Sequence, residues 1–140
     1  MKVESRADLE KYISHFNNKE YEKQIAYYAP DVTFKVGSLT LTSPRQIADF
    51  YADFHQYVKE WVELALFAKD GNTIGAVIHA IFEPFKDYVR NGLTFKVGTT
   101  TEIITLAFYT LKDGQIHRIR MTRYSGALSD WADLVTLRAP

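Results

Sequence analysis

The sequence contains no cysteine, no excess of either charge and no long apolar segment. Its 17 Lys and Arg residues balance 17 Asp and Glu residues, so we expect no basic surface for nucleic acid or anionic membranes. Without cysteine the chain has no disulfide bond, no thiolate nucleophile and no cysteine-bound zinc. Because no stretch reaches membrane-spanning length and the first residues lack an apolar signal core, we expect a soluble cytoplasmic protein.

Motifs that bind cofactors or activate nucleophiles are also missing. The sequence has no glycine-rich phosphate loop and no nucleophile elbow. Its 4 histidines do not show metal-site spacing, such as two histidines one helical turn apart. We therefore predict neither a cofactor nor a metal ion.

The chain is instead rich in apolar and aromatic residues. Its 140 residues are 46% hydrophobic and 14% aromatic, which suffices for one domain with a substantial core. We expect a single domain over residues 1–140, with a core at about residues 6–125 and a C-terminal tail at residues 126–140. Tyrosines can also surround ligands, so this composition is compatible with a binding pocket.

Helical patterns precede strand patterns along the chain. Apolar spacing predicts helices over residues 7–18 and 21–28, and a third from Ser43-Pro44, with serine as the cap. Residues 31–37 and 39–42 alternate like strands. After Trp61 the chain reads as strands, separated by turns at Asp70-Gly71, Asn91-Gly92 and Asp113-Gly114. This order predicts an α+β fold with three N-terminal helices on a strongly curved antiparallel sheet that encloses a pocket.

The three turns predict a register for the long strands. With two-residue loops, Val62 lies opposite His79, His79 opposite Ile104, and Ile104 opposite Arg123. We expect this row to face the helices, because the residues on its face are almost all apolar: Leu64, Leu66, Val77, Ile81, Leu106, Phe108, Ile119 and Met121. The other face is mixed, which suits packing on a second subunit. A one-residue bulge would turn part of the row over.

Three tyrosine-bearing segments resemble a known superfamily. The segments KYISHFN around Tyr12, AYYAPDVTF around Tyr28 and IADFYADF around Tyr51 resemble NTF2-like proteins, in particular SnoaL-like cyclases and ketosteroid isomerases. The resemblance implies a cone-shaped fold with a small-molecule pocket. It also implies that Tyr12 is an oxyanion-hole tyrosine, supported by Tyr28 and Tyr51. Val36 and Leu106 stand where the isomerase has aspartates, so that isomerase mechanism is excluded.

Three residues are candidates for catalysis. His79 is predicted to transfer a proton, since imidazole ordinarily titrates near neutrality; the alternative is a core histidine bonded to a tyrosine. Tyr12 is predicted to stabilise an oxyanion. Glu102 would be a carboxylate base, or would form a structural ion pair with Arg123, its diagonal neighbour. Predicted substrate contacts are Tyr28, Tyr51, Phe34, Val36, Phe54, His55, Val77, Ile81, Leu106, Phe108, Met121 and Arg123.

The predicted function is a cofactor-independent isomerase, cyclase or dehydratase that acts by proton transfer on an apolar oxygenated molecule. By family analogy the substrate is polyketide- or terpenoid-like and belongs to secondary metabolism. We expect a homodimer and a small-molecule substrate as the only partners. The alternatives are a non-catalytic ligand-binding or dimerisation module, and an epoxide hydrolase-like enzyme. Replacing His79 by phenylalanine should abolish turnover without unfolding the protein.

Overall fold

A computed structural model describes residues 1–90 and 92–137. Asn91 of the predicted turn and residues 138–140 of the predicted tail lie outside the described residues. The architecture is α+β, as predicted, with three α-helices on a mixed sheet of six strands. The core lies between the helices and one face of this sheet.

The helices start where the sequence provides caps. Helix α1 spans Arg6–Asn17, α2 spans Tyr21–Ile25 and α3 spans Pro44–Phe54. Ser5 and Asp8 form a capping box at α1, and the Ser43 hydroxyl caps α3. Helix α2 ends before the predicted residue 28, because Tyr28 instead pairs with Ile116 in the sheet. None of the described helices is long and apolar enough to cross a membrane.

The sheet is mixed, which corrects the predicted antiparallel meander. Its order is β2-β1-β8-β7-β4-β3, and β1 runs parallel to β8. These strands span Tyr28–Val36 (β1), Leu39–Leu41 (β2), Val58–Asp70 (β3), Thr73–Pro84 (β4), Thr101–Lys112 (β7) and Gln115–Arg123 (β8). The sheet is open and is not strongly curled; moreover α3 follows β1 and β2, so the helices do not all precede the strands.

A separate hairpin covers one end of the helical face of the sheet. It consists of β5 (Tyr88–Arg90) and β6 (Leu93–Phe95). Its aromatic side chains pack on α3 and β4: Phe95 lies 5.9 Å from Phe54 and 5.2 Å from Phe82 between ring centroids. A short 3-10 turn, Leu128–Trp131, follows β8.

Two β-bulges decide which face each long strand presents. Ala65 is an extra residue in β3 opposite β4, and His117 is an extra residue in β8 opposite β7. The predicted pair His79–Ile104 is confirmed, but Val62 pairs with Ala80 and Arg123 pairs with Thr105. Each shift of one residue exchanges the two faces.

The middle strands are therefore reversed relative to the prediction. Ile78 and Ala80 of β4 face the helices together with Val62, whereas His79 and Ile104 point to the outer face. The burial pattern of β4 is almost continuous, so alternation gave no signal for its orientation. The prediction that His79 faces the helices is wrong for this reason.

Helix α1 fixes the edge strand β3 beside its bulge. The Asn17 amide donates to the Val62 carbonyl at 2.8 Å and accepts from the Val62 N–H at 2.9 Å. The Arg6 guanidinium donates to the Leu64 carbonyl at 2.9 Å. These bonds satisfy backbone groups at a sheet edge that would otherwise be open to other chains.

On the outer face, His79 and Glu102 form a buried polar pair. The imidazole Nε2 lies 2.9 Å from Glu102 Oε1, and Nδ1 lies 3.9 Å from Glu63 Oε2. His79 is fully buried, and the Glu102 side chain is 7% exposed. The predicted ion pair between Glu102 and Arg123 is not formed, because the two residues lie on opposite faces of the sheet.

Because His79 lies outside the helical face of the sheet, we expect His79→Phe to lower the stability of the fold rather than to remove a catalytic group. Removing a buried hydrogen bond to a charged group should lower the free energy of unfolding by about 1–3 kcal/mol. The measurement is urea unfolding followed by circular dichroism. His117→Phe removes a solvent-exposed contact between an imidazole and a carboxylate, 3.2 Å from Asp31, and is the comparison; it should cost less than about 1 kcal/mol. Equal stability of His79→Phe and the wild type would contradict a structural role for the pair.

Candidate functional site

A cavity of about 630 Å³ lies between the helices, the sheet and the β5–β6 hairpin. This volume is in the range of sites for small organic molecules. Most of its wall is apolar: Ile13, Phe16, Phe34, Val36, Val62, Ile78, Ala80, Phe82, Leu93, Ile103 and Met121. The polar side chains at the wall are Tyr12, Ser38, Tyr51, Glu60, Arg90, Thr105, Tyr109, Thr122, Arg123 and Ser125.

Glu60 is the one carboxylate among the described residues of the wall. It lies near the start of β3, two residues before Val62, so both side chains face the cavity. The Glu60 side chain is only 9% exposed. His55 Nε2 lies 3.0 Å from Glu60 Oε1, and no described residue hydrogen-bonds the other oxygen. One carboxylate oxygen is thus held by the protein, while the second remains available to a ligand.

His55 connects Glu60 to Tyr21 behind the wall. The Tyr21 hydroxyl lies 2.6 Å from His55 Nδ1, and the His55 side chain is 3% exposed. Burial, reinforced by the charge of Glu60, raises the pKa of Tyr21 to about 12, so the phenol keeps its proton. Because Tyr21 keeps its proton, its O–H can donate to Nδ1, which leaves Nε2–H to donate to Glu60. This chain of hydrogen bonds fixes the carboxylate in one orientation.

Tyrosine hydroxyls form a second polar group in the cavity. Tyr12 and Tyr28 hydroxyls lie 2.6 Å apart, and Tyr28 is behind the wall. If Tyr28 donates to Tyr12, the Tyr12 proton points to a ligand. Tyr51 also lines the cavity, and no described residue hydrogen-bonds its hydroxyl. Both side chains can therefore donate to an oxygen atom of a bound molecule.

Burial keeps these phenols protonated. Desolvation is the main cause that raises the pKa of Tyr12, Tyr28, Tyr51 and Tyr109 above the usual value. The negative charge of Glu60 raises the pKa of Tyr51 further, and the Arg90 guanidinium lowers it. At neutral pH these side chains are hydrogen-bond donors.

The predicted site residues fall into three groups. Six line the cavity: Tyr12, Phe34, Val36, Tyr51, Met121 and Arg123. Three lie behind its wall: Tyr28, Phe54 and His55. The prediction that the other six face the cavity is wrong, because the two bulges turn them to the outer face of β4 and β7. These six are Val77, His79, Ile81, Glu102, Leu106 and Phe108.

Sequence reasoning missed the two charged residues with the most buried positions at the wall, Glu60 and Arg90. The orientation of Glu60 could have been predicted, because it precedes the correctly oriented Val62 by two residues. Side chains two residues apart in a strand point to the same face. Arg90 lies in the short hairpin strand β5, where the pattern gave no orientation. In the described part of the chain, no group of histidine and acidic residues is arranged to hold a metal ion.

The buried phenols predict a loss of stability at alkaline pH. Above pH about 10 the unfolded chain releases tyrosine protons that the folded chain retains. The free energy of unfolding should therefore fall with rising pH, by about 1.4 kcal/mol per pH unit for each buried tyrosine until its folded pKa is reached.

This effect is measured by near-ultraviolet titration and urea unfolding between about pH 9 and 12, the range in which free tyrosine titrates. The phenols of Tyr12, Tyr28, Tyr51 and Tyr109 should ionise only as the protein unfolds. Tyr28→Phe should give a shallower decline in stability with pH than the wild type. Titration of all tyrosines near the ordinary value in the folded protein would contradict the account.

Comparisons with known proteins agree with this architecture. Residues 9–119 match the sequence model of the SnoaL-like domain. A search of curated protein sequences finds no match. A candidate polyketide cyclase from Silicibacter sp. TM1040 has a TM-score of 0.70 and 20% identity, over 98% of this chain and 99% of that chain.

Two further solved structures represent other activities. A candidate ketosteroid isomerase from Kribbella flavida has a TM-score of 0.64 and 17% identity, over 96% of this chain and 89% of that chain. An LEH-like epoxide hydrolase from M. tuberculosis has a TM-score of 0.67 and 14% identity, over 83% of this chain and 79% of that chain. Such low identities establish a common fold and leave the activity open. The chain belongs to the SnoaL-like family and has the α+β fold of NTF2-like proteins.

Proposed function

We propose that the protein is a cofactor-independent enzyme that moves a proton on an apolar, oxygenated small molecule. The observation that carries this proposal is the orientation of Glu60, a nearly buried carboxylate held by His55 with one oxygen available to the cavity. A positioned carboxylate in a mostly apolar site is suited to general acid–base catalysis. A purely structural carboxylate would more often have both oxygens bonded by the protein.

The proposed step breaks a C–H bond next to a carbonyl group. Glu60 takes the proton, the electron pair moves onto the carbonyl oxygen, and Tyr12 or Tyr51 donates a hydrogen bond to the resulting enolate. If a conjugated double bond extends the enolate, return of the proton from Glu60 to its far carbon gives isomerisation. Attack of the enolate carbon on a second carbonyl, whose oxygen takes the proton from Glu60, gives cyclisation. Departure of a neighbouring hydroxyl together with that proton, as water, gives dehydration.

His55 would act as a positioning residue in this scheme. It lies behind the wall and contacts Glu60 rather than the substrate. The Tyr21–His55–Glu60 chain limits rotation of the carboxylate, which supports a fixed approach to one substrate proton. The prediction that His79 transfers the proton is not retained, because His79 lies on the other face of the sheet.

A polyketide-like ring compound fits this proposal. The cavity volume of about 630 Å³ accommodates a fused ring system, and relatives of similar fold include candidate polyketide cyclases. An epoxide hydrolase-like reaction has less support. The resemblance to limonene epoxide hydrolase implies an Asp–Arg–Asp arrangement around a water molecule, whereas the described wall has a single carboxylate, Glu60. A non-catalytic binding module remains the main alternative.

Deuterium uptake by a ketone tests the proton-transfer step without knowledge of the natural substrate. The probe is 2-tetralone in D₂O, followed by NMR at neutral pD. We expect the wild type to accelerate exchange next to the carbonyl above the buffer rate. Glu60→Gln should lower the enzymatic rate by about 100-fold or more, the usual contribution of a positioned acid or base.

Glu63→Gln is the matched control for this experiment. Glu63 lies on the same strand but faces outward and is 45% exposed, so its replacement should leave exchange unchanged. Exchange by Glu60→Gln at the wild-type rate would contradict the role of Glu60. Binding of 2-tetralone without any acceleration would favour the non-catalytic alternative.

We also propose that the outer face of the sheet forms a homodimer. Three large apolar side chains on this face are exposed: Trp61 by 43%, Leu66 by 39% and Phe108 by 57%. Their strands β3 and β7 lie on either side of β4, so the three side chains are on the same face of the sheet. Exposed apolar clusters of this kind are typical of subunit interfaces.

A charge on this surface should break the dimer. Phe108→Glu is expected to change the mass in light scattering from that of two chains to that of one, since burying an unpaired carboxylate is costly. Lys96→Glu, at an exposed position outside the surface, should leave the dimer intact. A wild-type protein that is monomeric at high concentration would rule out this interface.

A further inference from the structure

Arg90 introduces a positive charge into the wall of the cavity. It is the last residue of β5, and its guanidinium packs on two aromatic rings of α3. The Cζ atom lies 3.8 Å from the ring centroid of Phe54 and 4.6 Å from that of Phe50. These contacts are cation–π interactions, which hold the planar group in place and leave its charge without a counter-ion.

No carboxylate in the described chain pairs with Arg90. Its Nε and Nη1 atoms are buried and have no hydrogen-bond partner among the described residues. Taking a guanidinium out of water without an anion costs more than a cation–π contact usually returns. An anion in the cavity would accept hydrogen bonds from these nitrogens and balance the charge of the guanidinium.

The charges around the cavity agree with an anionic ligand. The described wall contains two cationic residues, Arg90 and Arg123, and one anionic residue, Glu60, which leaves one net positive charge. Arg123 is exposed to solvent, where its field is screened. Arg90 is partly buried against aromatic rings, where attraction to an anion is stronger.

We propose that Arg90 binds a carboxylate of the substrate, so that the substrate class is an apolar ring compound that carries a carboxylate as well as a ketone. This inference rests on the proposed function, because it names the substrate of the same cavity. A guanidinium matches a carboxylate through two parallel hydrogen bonds.

This contact also orients the substrate. Glu60 and Arg90 do not form an ion pair. Both charges act on the hydroxyl of Tyr51: Glu60 raises its pKa and Arg90 lowers it. A substrate carboxylate is attracted to Arg90 and repelled by Glu60, so it lies away from the base. The apolar body and its acidic C–H group are then directed toward Glu60, and a reversed orientation is excluded by charge.

A pair of isosteric probes tests the inference. 2-Naphthoate and 2-naphthamide share one ring skeleton and differ mainly in charge. We expect calorimetric titration of the wild type to show about ten- to hundredfold tighter binding of 2-naphthoate, as expected for hydrogen bonds between two charged groups. Arg90→Met, which keeps apolar contact with Phe50 and Phe54, should bind both probes equally well.

Controls separate a local contact from the general effect of charge. Lys96→Gln removes the same charge from an exposed position outside the cavity wall and the dimer surface and should retain the preference for 2-naphthoate. Arg90→Lys keeps the charge without the forked geometry and should show a reduced preference, and it replaces Arg90→Met if that variant does not fold. Loss of the preference in Arg123→Gln but not in Arg90→Met would overturn the assignment to Arg90.

The outcomes also distinguish this inference from the proposed function. Equal binding of the two probes to the wild type would overturn the carboxylate site, while Glu60-dependent exchange of 2-tetralone would still stand. Failure of both probes to bind would overturn the carboxylate site, while the Glu60-dependent exchange of 2-tetralone would still test the proposed function. Tighter binding of 2-naphthoate to the wild type, lost in Arg90→Met alone, supports the site.

Discussion

The site depends on two single-residue β-bulges in the sheet. Ala65 in β3 and His117 in β8 each shift the register by one residue, and the side chains on the two middle strands change faces as a result. This shift directs Ala80 and Thr105 into the cavity and directs His79 outward. A sheet without the bulges would carry a histidine and a glutamate in its cavity and would have a different chemistry.

The polar groups of the cavity depend on an apolar surrounding. Glu60 is supported by His55, and Tyr12 is supported by Tyr28, so these two groups are each held from behind the wall by a buried partner. Charges in such surroundings are weakly screened and interact more strongly with a ligand than they would in water. Arg90 is the exception, since its support comes from aromatic rings, which leave its charge unbalanced.

Much of the fold could be predicted from local patterns. The serine cap at Ser43, the turn at Asp113-Gly114 and the pairing of His79 with Ile104 were predicted from short-range signals, and the structure retains all three. Tyr12 and Tyr51 were found through the resemblance to NTF2-like proteins, and both lie on helices that the apolar spacing predicts. Six of the fifteen predicted site residues line the cavity.

The remaining predictions failed because the sequence does not mark a bulge. Strand β4 is buried on both faces, so most of its residues are apolar on both sides. A one-residue shift in its register therefore does not change the hydrophobic pattern of the sequence. Glu60 was missed for a different reason: it is a lone acid near a strand start, and its neighbour in space, His55, is on the preceding helix. Their hydrogen bond depends on the chain turn between α3 and β3, which periodicity does not describe.

The central claim is that the Glu60 carboxylate contacts the ligand. The most direct measurement is NMR of protein with carbon-13-labelled glutamate carboxyl groups, titrated with 2-tetralone. The account predicts that the Glu60 resonance shifts and saturates with the ligand, while the resonances of Glu63 and Glu102 on the outer face stay in place. A shift of the outer resonances with no change at Glu60 would contradict the account.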